Sequence, residues 1–445
     1  MKKVLILAYD FPPYVSVGGL RPYNWYKYFR EFGIEPVVVT RQWENKYGNE
    51  LDYIAPSKSK QLEIENTEYG TILRTPYAPN LANKLLLRFG DKKFKYFRKF
   101  ISLFFELFQF LLPIGPKYQI YKSAENYLLK NKIDVIIATG DPFVLFHYAN
   151  KLSLKYRIPW VADYRDPWSQ DIPLQNKHIL KQWSTIQEKK VLKNVSKVIT
   201  VSDFVAQKIS DIYNADVQIV PNGYDPELIN AASGIPQRKE YLSIAYAGTI
   251  YNWHPIDLFL STLNEWVIEN IEFNIKLNFY GVNNRNELEK KLNTKYENLK
   301  NIVVFHNRMS NKDLLYKMAQ DNVFLLFNYY SFMGTKIYDY LGMKRKILFC
   351  FTNDKYALEL KEKYYHIDES ESPNLNLQAD LIKETRSGTL VNDAKQLKDE
   401  LTKLAEEFQS NQKISYFGRD VERFSRKLKT KQVAEIIEDV LNPNI

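Results

Sequence analysis

The sequence predicts an α/β protein with two doubly wound domains, each built on a parallel β-sheet. Short apolar runs alternate with segments of helical periodicity along most of the 445 residues. Most of these runs are continuously apolar, as expected for strands that helices cover on both faces. The runs fall into two series on either side of the polar segment 230–240, which contains Gly, Pro and Ser and predicts the division between the domains.

The strands are predicted from the apolar runs, and many of the segments between them have helical periodicity. Alternation of strands and helices predicts parallel sheets with right-handed crossovers. We expect an N-terminal domain at 1–232, a C-terminal domain at 233–412 and a charged terminal helix within 413–445. The predicted strands are 3–8, 36–40, 134–140, 160–164, 197–202 and 217–221, then 241–248, 273–281, 301–306, 322–327 and 346–351. The predicted helices include 142–156, 178–194, 256–270 and 310–320.

Composition is typical of a soluble globular protein, with 45% hydrophobic and 26% charged residues. The single cysteine, Cys350, lies in an apolar run, which indicates a core residue and a reducing compartment rather than a disulfide framework. The apolar run after Met1 is shorter than the roughly 7–15 residues of a signal peptide and indicates a first strand. A net charge of +10 fits a solvated basic surface, nucleic acid or an anionic membrane.

Ligands of open parallel sheets bind beyond the carboxyl ends of the strands, so the loops that follow the strands hold the candidate site residues. After the first strand, Gly18 and Gly19 precede a helix that begins near Arg21. Paired glycines let the backbone approach an anion, and Arg21 can add a phosphate contact. A plain turn is the alternative. The loop lacks the G-x-G-x-x-G spacing, which disfavours dinucleotide binding.

Two further loops of the first series carry polar residues. His147 lies within an otherwise apolar helical segment, where a structural histidine is the alternative to a functional one. Asp163, Arg165 and Asp166 directly follow a buried strand. Charges at this position are costly to desolvate unless they are paired or used, so we weigh ligand contact equally with an internal Asp–Arg ion pair.

The second series has matching loops. Gly248 and Thr249 end its first strand, and Arg308 precedes a helix after its third. We expect these residues to line one binding site together with the segment that begins at Gly334.

The stretch "GTKIYDYLGMKRKIL" at 334–348 places one cation and one carboxylate at the start of a short helix. Lys336 and Asp339 are three residues apart and share one helix face, directly after Gly334 and Thr335. The cation can contact phosphate oxygens, and the carboxylate can accept hydrogen bonds from ribose hydroxyls. The alternative is a surface salt bridge worth a few tenths of a kcal/mol.

These loops together resemble the family-four-type retaining glycosyltransferases. The resemblance rests on the order and spacing of "PPYVSVGGLR", "WVADYRDPW", "VPNGYD", "YAGTIY" and "GTKIYDYLG", and it is weakest over 45–130. It implies the GT-B architecture, in which two Rossmann-like domains with parallel sheets face each other and a C-terminal helix packs back on the N-terminal domain.

The resemblance also implies a reaction: transfer of a sugar from a nucleotide-diphosphate sugar to a glycan or lipid-linked glycan, with retained configuration. The donor would bind mostly to the C-terminal domain and the acceptor to the N-terminal domain. The expected catalytic residues are His147, Asp166 and Lys336. The expected donor-binding residues are Gly18, Gly19, Arg21, Gly248, Thr249, Arg308, Gly334, Thr335, Lys336 and Asp339, and those on the acceptor side are Asp163 and Arg165. No metal or other cofactor is expected, because the five histidines are scattered.

Two departures from the family pattern leave other functions open. Many relatives carry two glutamates eight positions apart, but here Ser331 occupies the first of these positions and Asp339 the second. The segment "GTIYNWHP" also lacks the Arg and Lys that many relatives use to bind pyrophosphate. A catalytically silent GT-B scaffold that binds a sugar nucleotide or a partner protein is therefore an alternative, and a sugar-nucleotide epimerase is a third.

Segment 84–112 combines basic residues with a broad Phe and Leu face at helical spacing. It is too short and too polar to span a bilayer, which needs about 20 residues, and it fits a helix lying at an anionic membrane surface. Burial in the first domain is the alternative. Because no RNA-binding motif is present, we expect no nucleic-acid partner. We expect the protein to lie peripherally at the cytoplasmic face of the cell membrane and to act in cell-surface polysaccharide synthesis.

Overall fold

The computed structural model describes residues 1–44, 51–170, 178–214, 217–367, 369 and 374–442. The chain divides into two compact units, Met1–Asn222 with Arg426–Ile445, and Gly223–Ser425. The division lies at residue 222, where the sequence pattern placed it at 232. The difference arises because the short helix Pro226–Ser233 packs into the core of the second unit through Ile229.

The first unit contains an eight-stranded sheet with the order β3-β4-β2-β1-β5-β6-β7-β8. All neighbouring strands are parallel except β3 and β4, which pair antiparallel. The strands are β1 (Lys2–Leu7), β2 (Ile34–Arg41), β3 (Glu63–Asn66), β4 (Thr71–Thr75), β5 (Val135–Gly140), β6 (Trp160–Tyr164), β7 (Lys197–Thr200) and β8 (Val217–Ile219).

Helices connect most of these strands. The first begins at a Ser16 N-cap, whose Oγ accepts a hydrogen bond from the Gly18 backbone N–H. The helices of this part of the chain are α1 (Val17–Tyr28), α2 (Leu81–Phe89), α3 (Lys95–Phe108), α4 (Tyr118–Leu128), α5 (Val144–Tyr156), α6 (His178–Leu192) and α7 (Asp203–Ser210).

The second unit contains a six-stranded sheet, parallel throughout, with the order β11-β10-β9-β12-β13-β14. The strands are β9 (Leu242–Ala247), β10 (Ile275–Tyr280), β11 (Val303–His306), β12 (Val323–Phe327), β13 (Lys346–Cys350) and β14 (Gly388–Val391). Cys350 is fully buried in this sheet, which confirms its prediction as a core residue.

Helices cover both faces of the second sheet, as the continuously apolar strands predict. They are α8 (Pro226–Ser233), α9 (Ile256–Glu269), α10 (Arg285–Thr294), α11 (Asn311–Met318), α12 (Lys336–Met343), α13 (Lys355–Tyr364), α14 (Leu377–Thr385) and α15 (Ala394–Asn411). Two separate apolar clusters form the core, and the cluster that contains α12 includes Ile337, Tyr340 and Leu341.

The last helix, α16 (Arg426–Leu441), returns to the first unit. Val433, Ala434 and Ile437 pack in the same apolar cluster as β1 residues Val4 and Ile6. This confirms the predicted packing of the terminal helix on the N-terminal domain. None of the helices in the described part of the chain is both long and apolar enough to cross a membrane.

Candidate functional site

The order of the strands marks one position in each sheet where a ligand site is expected. In the second unit, the chain runs from β9 outward through β10 to β11, and then from β12 outward in the opposite direction. In the first unit, β1 lies between β2 and β5 in the same way. Such reversals leave a crevice at the carboxyl ends of the two diverging strands, where doubly wound proteins bind ligands.

Lys336 lies at this position in the second unit, because α12 follows β12 and its first residue reaches the loop after β9. Its Nζ donates hydrogen bonds to Tyr246 Oη at 3.0 Å and to the Thr249 carbonyl at 3.2 Å. The same Nζ lies 4.4 Å from the centre of the Tyr246 ring. Burial lowers the pKa of the Lys336 ammonium to about 7.

Gly248 makes room for this lysine. Its φ of +82° is in the region that favours glycine, and a Cβ placed there would lie 3.0 Å from Lys336 Cε. Tyr246 Oη donates to the Thr249 carbonyl at 2.6 Å. Gly248, Thr249 and Lys336, predicted from three sequence positions, therefore form one contact.

Aromatic rings surround the lysine. Tyr251 and Trp253 stack with ring centres 4.5 Å apart, and Tyr329 meets Tyr251 edge-on at 5.6 Å. The buried His254 packs between them, its Nδ1 accepts a hydrogen bond from the Tyr251 N–H, and burial lowers its pKa well below the usual range. Sequence reasoning missed this cluster, although three of its aromatic residues stand together in "YNWH".

The loop before α12 is held by one buried side chain, Gln378. Its Oε1 accepts from the Tyr329 N–H at 2.9 Å, and its Nε2 donates to the Met333 carbonyl at 2.8 Å. Gly334 follows with a φ of +68°, and Thr335 is the residue before the helix. These contacts fix the start of α12 relative to the end of β12. They therefore also fix the position of Lys336, the first residue of α12.

Asp339 and Arg308 differ in their solvent exposure and in their position relative to β9. Asp339 lies in the first turn of α12 and is partly exposed. Arg308 is exposed after β11, which is separated from β9 by β10. Gly281, with a φ of +61°, lies beside the Arg308 backbone.

A carboxylate lies beside Ser331, although the sequence has none at that position. The Ser331 N–H donates to Glu369 Oε1 at 3.3 Å, and the Ser331 and Tyr365 hydroxyl oxygens are 2.8 Å apart. Glu369 also forms an ion pair with Lys361 at 2.6 Å. Linear spacing could not reveal this carboxylate, because it follows α13 rather than β12.

In the first unit, Arg21 and Asp163 form a buried ion pair. Arg21 Nε donates to Asp163 Oδ1 at 2.9 Å, and Arg21 Nη1 donates to the Val220 carbonyl at 2.7 Å. The side chains are 7% and 0% exposed. The structure thus places Arg21, expected to bind the donor, and Asp163, expected on the acceptor side, in a contact that braces the sheet.

The crevice beside β1 holds Arg165 and a residue the loop analysis missed, Asp10. Arg165 donates to the carbonyls of Gly140 and Asp141, each at 2.6 Å. Its Nη1 crosses Gly18 so closely that a Cβ there would lie 2.1 Å away. Asp10 Oδ2 accepts from Ser16 Oγ at 2.7 Å, and a Cβ on Gly19 would lie 3.3 Å from the Asp10 backbone.

Asp10 and Lys117 are partly buried charges without a predicted role. Burial raises the pKa of Asp10, and its Oδ1 has no hydrogen-bond partner among the described residues. Burial lowers the pKa of Lys117, whose Nζ lies 5.7 Å from the Tyr9 ring centre. Asp10 lies in the loop after β1, so the rule that selected Arg165 and Asp166 also applies to it. Lys117 precedes α4, and only the fold brings it here.

His147 lies on α5, in edge-to-face contact with Phe110 at 5.7 Å. Burial lowers its pKa to about 4, and the positive charges of Lys151 and Lys190 act in the same direction. The imidazole is therefore neutral at pH 7 and can donate or accept one hydrogen bond. Asp166 is exposed in the loop after β6. Among the described residues, no group of three His, Cys, Asp or Glu side chains is placed to hold a metal ion.

Comparisons with known proteins show similarity to one family and to one fold. Residues 22–228 match the model of Glycosyltransferase Family 4. A comparison with curated protein sequences finds no match. Among solved structures, a sucrose-phosphate synthase from Thermosynechococcus elongatus is similar, with 14% identity, a TM-score of 0.55 and coverage of 100% of this chain and 97% of that one.

Two further solved structures are similar along nearly their whole length. A glycosyltransferase from Rickettsia africae has 14% identity and a TM-score of 0.53, with coverage of 99% of this chain and 98% of that one. A UDP-forming trehalose-phosphate synthase from Burkholderia xenovorans has 11% identity and a TM-score of 0.59, with coverage of 98% and 100%. The predicted family resemblance and the GT-B fold are confirmed.

Proposed function

We propose that this chain, a GT-B protein whose residues 22–228 match Glycosyltransferase Family 4, transfers a sugar from a nucleotide-diphosphate sugar to a glycan or lipid-linked glycan with retention of configuration. The observation that carries the proposal is the contact of Lys336 with Tyr246 and Thr249 beside Gly248. This contact places the Lys336 cation and the backbone of Gly248 at the carboxyl ends of β9 and β12.

The donor diphosphate occupies this crevice. A phosphate oxygen beside Lys336 restores the full charge of an ammonium whose pKa burial lowers to about 7. Gly248 permits the close backbone approach that a phosphate needs. Asp339 accepts hydrogen bonds from the ribose hydroxyls, and exposed Arg308 adds a second positive charge. A trehalose-6-phosphate protein from E. coli, which has a similar fold, binds UDP-2-fluoro glucose.

Glu369 supplies the carboxylate that the motif lacks. Relatives carry a glutamate where this chain has Ser331, and the Glu369 carboxylate reaches the Ser331 backbone from another segment. The Lys361 ion pair orients it. In this role Glu369 contacts the donor. The site therefore still contains a carboxylate, although a different segment supplies it.

The acceptor binds to the first unit at the crevice beside β1. Asp10 offers a hydrogen-bond acceptor atom without a partner among the described residues, and Asp166 can orient a hydroxyl from the loop after β6. Arg165 and the partly buried Lys117 provide positive charge for an anionic acceptor group. Neutral His147 donates a hydrogen bond to the donor sugar, as the resemblance implies.

The chemistry needs no carboxylate nucleophile. The bond from the anomeric carbon to the diphosphate oxygen breaks, and the acceptor oxygen bonds to the same face of that carbon. The acceptor proton passes to the departing diphosphate, whose charge Lys336 and backbone N–H groups stabilise. A trehalose-6-phosphate synthase of similar fold carries out glycosyltransfer with retention.

The protein works at the cytoplasmic face of the cell membrane, on a growing cell-surface polysaccharide. The exposed aromatic side chains of α3 support this location: Phe97, Phe100 and Phe104 are 52%, 68% and 42% exposed and recur at helical spacing. Lys95 and Lys99 flank them. Basic residues beside a lipid-facing apolar stripe are typical of helices that lie in anionic membrane interfaces.

A silent scaffold is the second candidate, and one observation favours it. Lys336 already donates to Tyr246 and Thr249, so the site can be stable without phosphate. In that case the chain binds a sugar nucleotide or a partner enzyme but turns nothing over.

A thermal-shift panel followed by a transfer assay tests the proposal. UDP, GDP, ADP and their sugar conjugates are added to the wild type and to Asp339→Ala and Lys336→Gln. Lys344→Gln is the control, because Lys344 is at the other end of α12 and pairs with Glu422. We expect one nucleotide to raise the melting temperature of the wild type and control only, since ligand binding stabilises by mass action. No rise with any nucleotide overturns the donor site; a rise without transfer to any acceptor supports the scaffold.

A further inference from the structure

A cavity in the first unit lies directly beside the exposed apolar surface of α2 and α3. Its volume is about 620 Å³, within the usual range for small-molecule sites. The walls come from the loop 56–60, the segment 76–79 that follows β4, and one face of α2. This cavity is separate from the β1 crevice, since Asp10 and Arg165 are not among its lining residues.

The lining combines apolar walls with one sign of charge. Pro76, Tyr77 and Leu87 are among the apolar residues. The charged lining residues are Lys60, Lys84 and Arg88, and in the described part of the chain no carboxylate lines the cavity. All three cations are exposed, so they are free to turn toward an anion in the cavity. An anion that also has an apolar part would satisfy both features.

The cavity continues into the surface that we place at the membrane. Leu87 lines the cavity and is 38% exposed, and Leu81 and Phe89 on the same helix are 52% and 39% exposed. α2 packs against α3, so one wall of the cavity and the aromatic stripe of α3 are on neighbouring helices. Basic side chains beside exposed apolar residues are typical of helices that contact anionic lipid headgroups.

We propose that this cavity binds the phosphate-bearing headgroup of an anionic lipid. The phosphate contacts Lys60, Lys84 and Arg88, and the first carbons of the lipid chains lie against Tyr77 and Leu87. This inference rests on the proposed function, because it gives the membrane-bound enzyme a defined lipid contact. It goes beyond that function because it assigns a specific, saturable lipid site. General electrostatic attraction to the membrane would not require such a site.

The test uses a lipid that dissolves as single molecules. Dihexanoyl phosphatidylglycerol is titrated below its micelle concentration into the full-length protein by calorimetry, with dihexanoyl phosphatidylcholine and glycerol 3-phosphate as comparisons. We expect one saturable site for the phosphatidylglycerol, and affinities for both comparison ligands about tenfold weaker, as the loss of one charged or apolar contact predicts.

Matched variants separate the cavity from general charge. Lys60→Gln with Lys84→Gln removes two cavity cations, and Lys130→Gln with Lys193→Gln removes two exposed cations outside the lining. Ala78→Trp keeps every charge but fills the cavity. We expect the first and third variants to weaken binding at least about tenfold and the second to change it less than about twofold.

Three outcomes overturn the cavity site: no saturable binding, equal weakening by the two lysine pairs, or unchanged binding in Ala78→Trp. Equal affinity for glycerol 3-phosphate would instead assign the cavity to a soluble phosphate and overturn the lipid. The nucleotide thermal shift is measured on the same variants. If the nucleotide shift persists while lipid binding is absent, the cavity site fails alone; if lipid binding persists while no nucleotide shifts the protein, the proposed donor site fails alone.

Discussion

Arg21 and Asp163 show how two charged residues at strand ends can serve the fold. They are 142 positions apart in the chain and meet at 2.9 Å with almost no solvent exposure. The sequence marked Asp163 as a charge that must be paired or used, but it predicted a phosphate contact for Arg21. It offered no signal that each would be the partner of the other, because such contacts depend on the path of the whole sheet.

We expect Arg21→Met to destabilise the first unit by about 3–5 kcal/mol, because it leaves the Asp163 carboxylate buried without its cation. Arg165→Met is the control and should cost less, since Arg165 is partly exposed and donates to backbone carbonyls. Urea unfolding checks both variants, and Asp163→Asn added to Arg21→Met should restore part of the loss. If the Arg21→Met variant were stable but no longer bound nucleotide, Arg21 would have to be a donor-binding residue.

Lys336 is the residue at which the pattern and the structure agree most closely. Its position after β12, near a glycine that ends β9, could be read from the sequence. Its contacts with Tyr246 and Thr249 could not, because those depend on the pairing of β9 with β12. The alternative of a simple surface salt bridge also does not describe the ammonium, whose pKa is lowered by burial.

The pKa of Lys336 predicts a pH dependence for nucleotide binding. The ammonium titrates near pH 7 without ligand, and a bound diphosphate raises that pKa. Above pH 7, binding must therefore take up a proton, and affinity should fall by up to about tenfold per pH unit, a slope set by linkage. Calorimetric titration at pH 6 to 8.5 measures this slope.

The control for this dependence is Lys336→Gln, in which the slope should flatten and affinity should be about 10- to 100-fold weaker, as expected for loss of a charged hydrogen bond. A wild-type affinity that rises with pH would contradict the role of Lys336 as the phosphate cation.

At the scale of elements, the strands missed from the sequence are β3, β4 and β14, none of which has a long apolar run. In β4, the polar residues Thr71, Arg74 and Thr75 leave an apolar run of only two residues. All four residues of β3 are exposed, and β14 contains one buried residue in four. Both are edge strands, where backbone pairing forms the strand and side-chain burial contributes little. The central strands were predictable because helices cover both of their faces.

The turn that ends β9 has a conformation on which the donor site depends. Gly248→Ala should lower nucleotide affinity about tenfold or more and cost about 1–2 kcal/mol of stability, because Ala is strained at a φ of +82° and its Cβ would press on Lys336. Thermal shift with and without nucleotide measures both effects. Gly234→Ala, at a φ of −75° with open space around it, is the control and should change neither.

Helix α3 makes a prediction about the membrane that is independent of the cavity. Phe97→Ser with Phe100→Ser should weaken binding to anionic vesicles at least about tenfold, because each ring loses its burial in lipid. Flotation with phosphatidylglycerol vesicles measures it. The control is Ile268→Ser with Ile271→Ser, which removes two exposed apolar side chains from the second unit. Equal flotation of wild type and the α3 variant would assign the aromatic stripe to another partner.

At the scale of the whole molecule, the proposed function assigns the donor to the second unit and the acceptor to the first. The sequence pattern could predict two domains because the strand series is interrupted once. The return of the last helix to the first domain was implied only by the family resemblance. The sequence pattern could not place the division at 222, because α8 has the same helical pattern whichever core it joins. The proposed donor groups other than His147 lie on the second unit, and the proposed acceptor groups lie on the first.

This division predicts that variants in the two units lose different steps. Asp10→Asn in the first unit should keep the nucleotide thermal shift and reduce transfer at least about tenfold, because it alters only the acceptor contact. Lys336→Gln in the second unit should lose the shift and the transfer together. Both are measured with the nucleotide sugar identified by the thermal-shift panel, and Lys344→Gln should retain both properties. If Asp10→Asn lost nucleotide binding while its fold stayed intact, the β1 crevice would belong to the donor, and the acceptor would have to bind elsewhere.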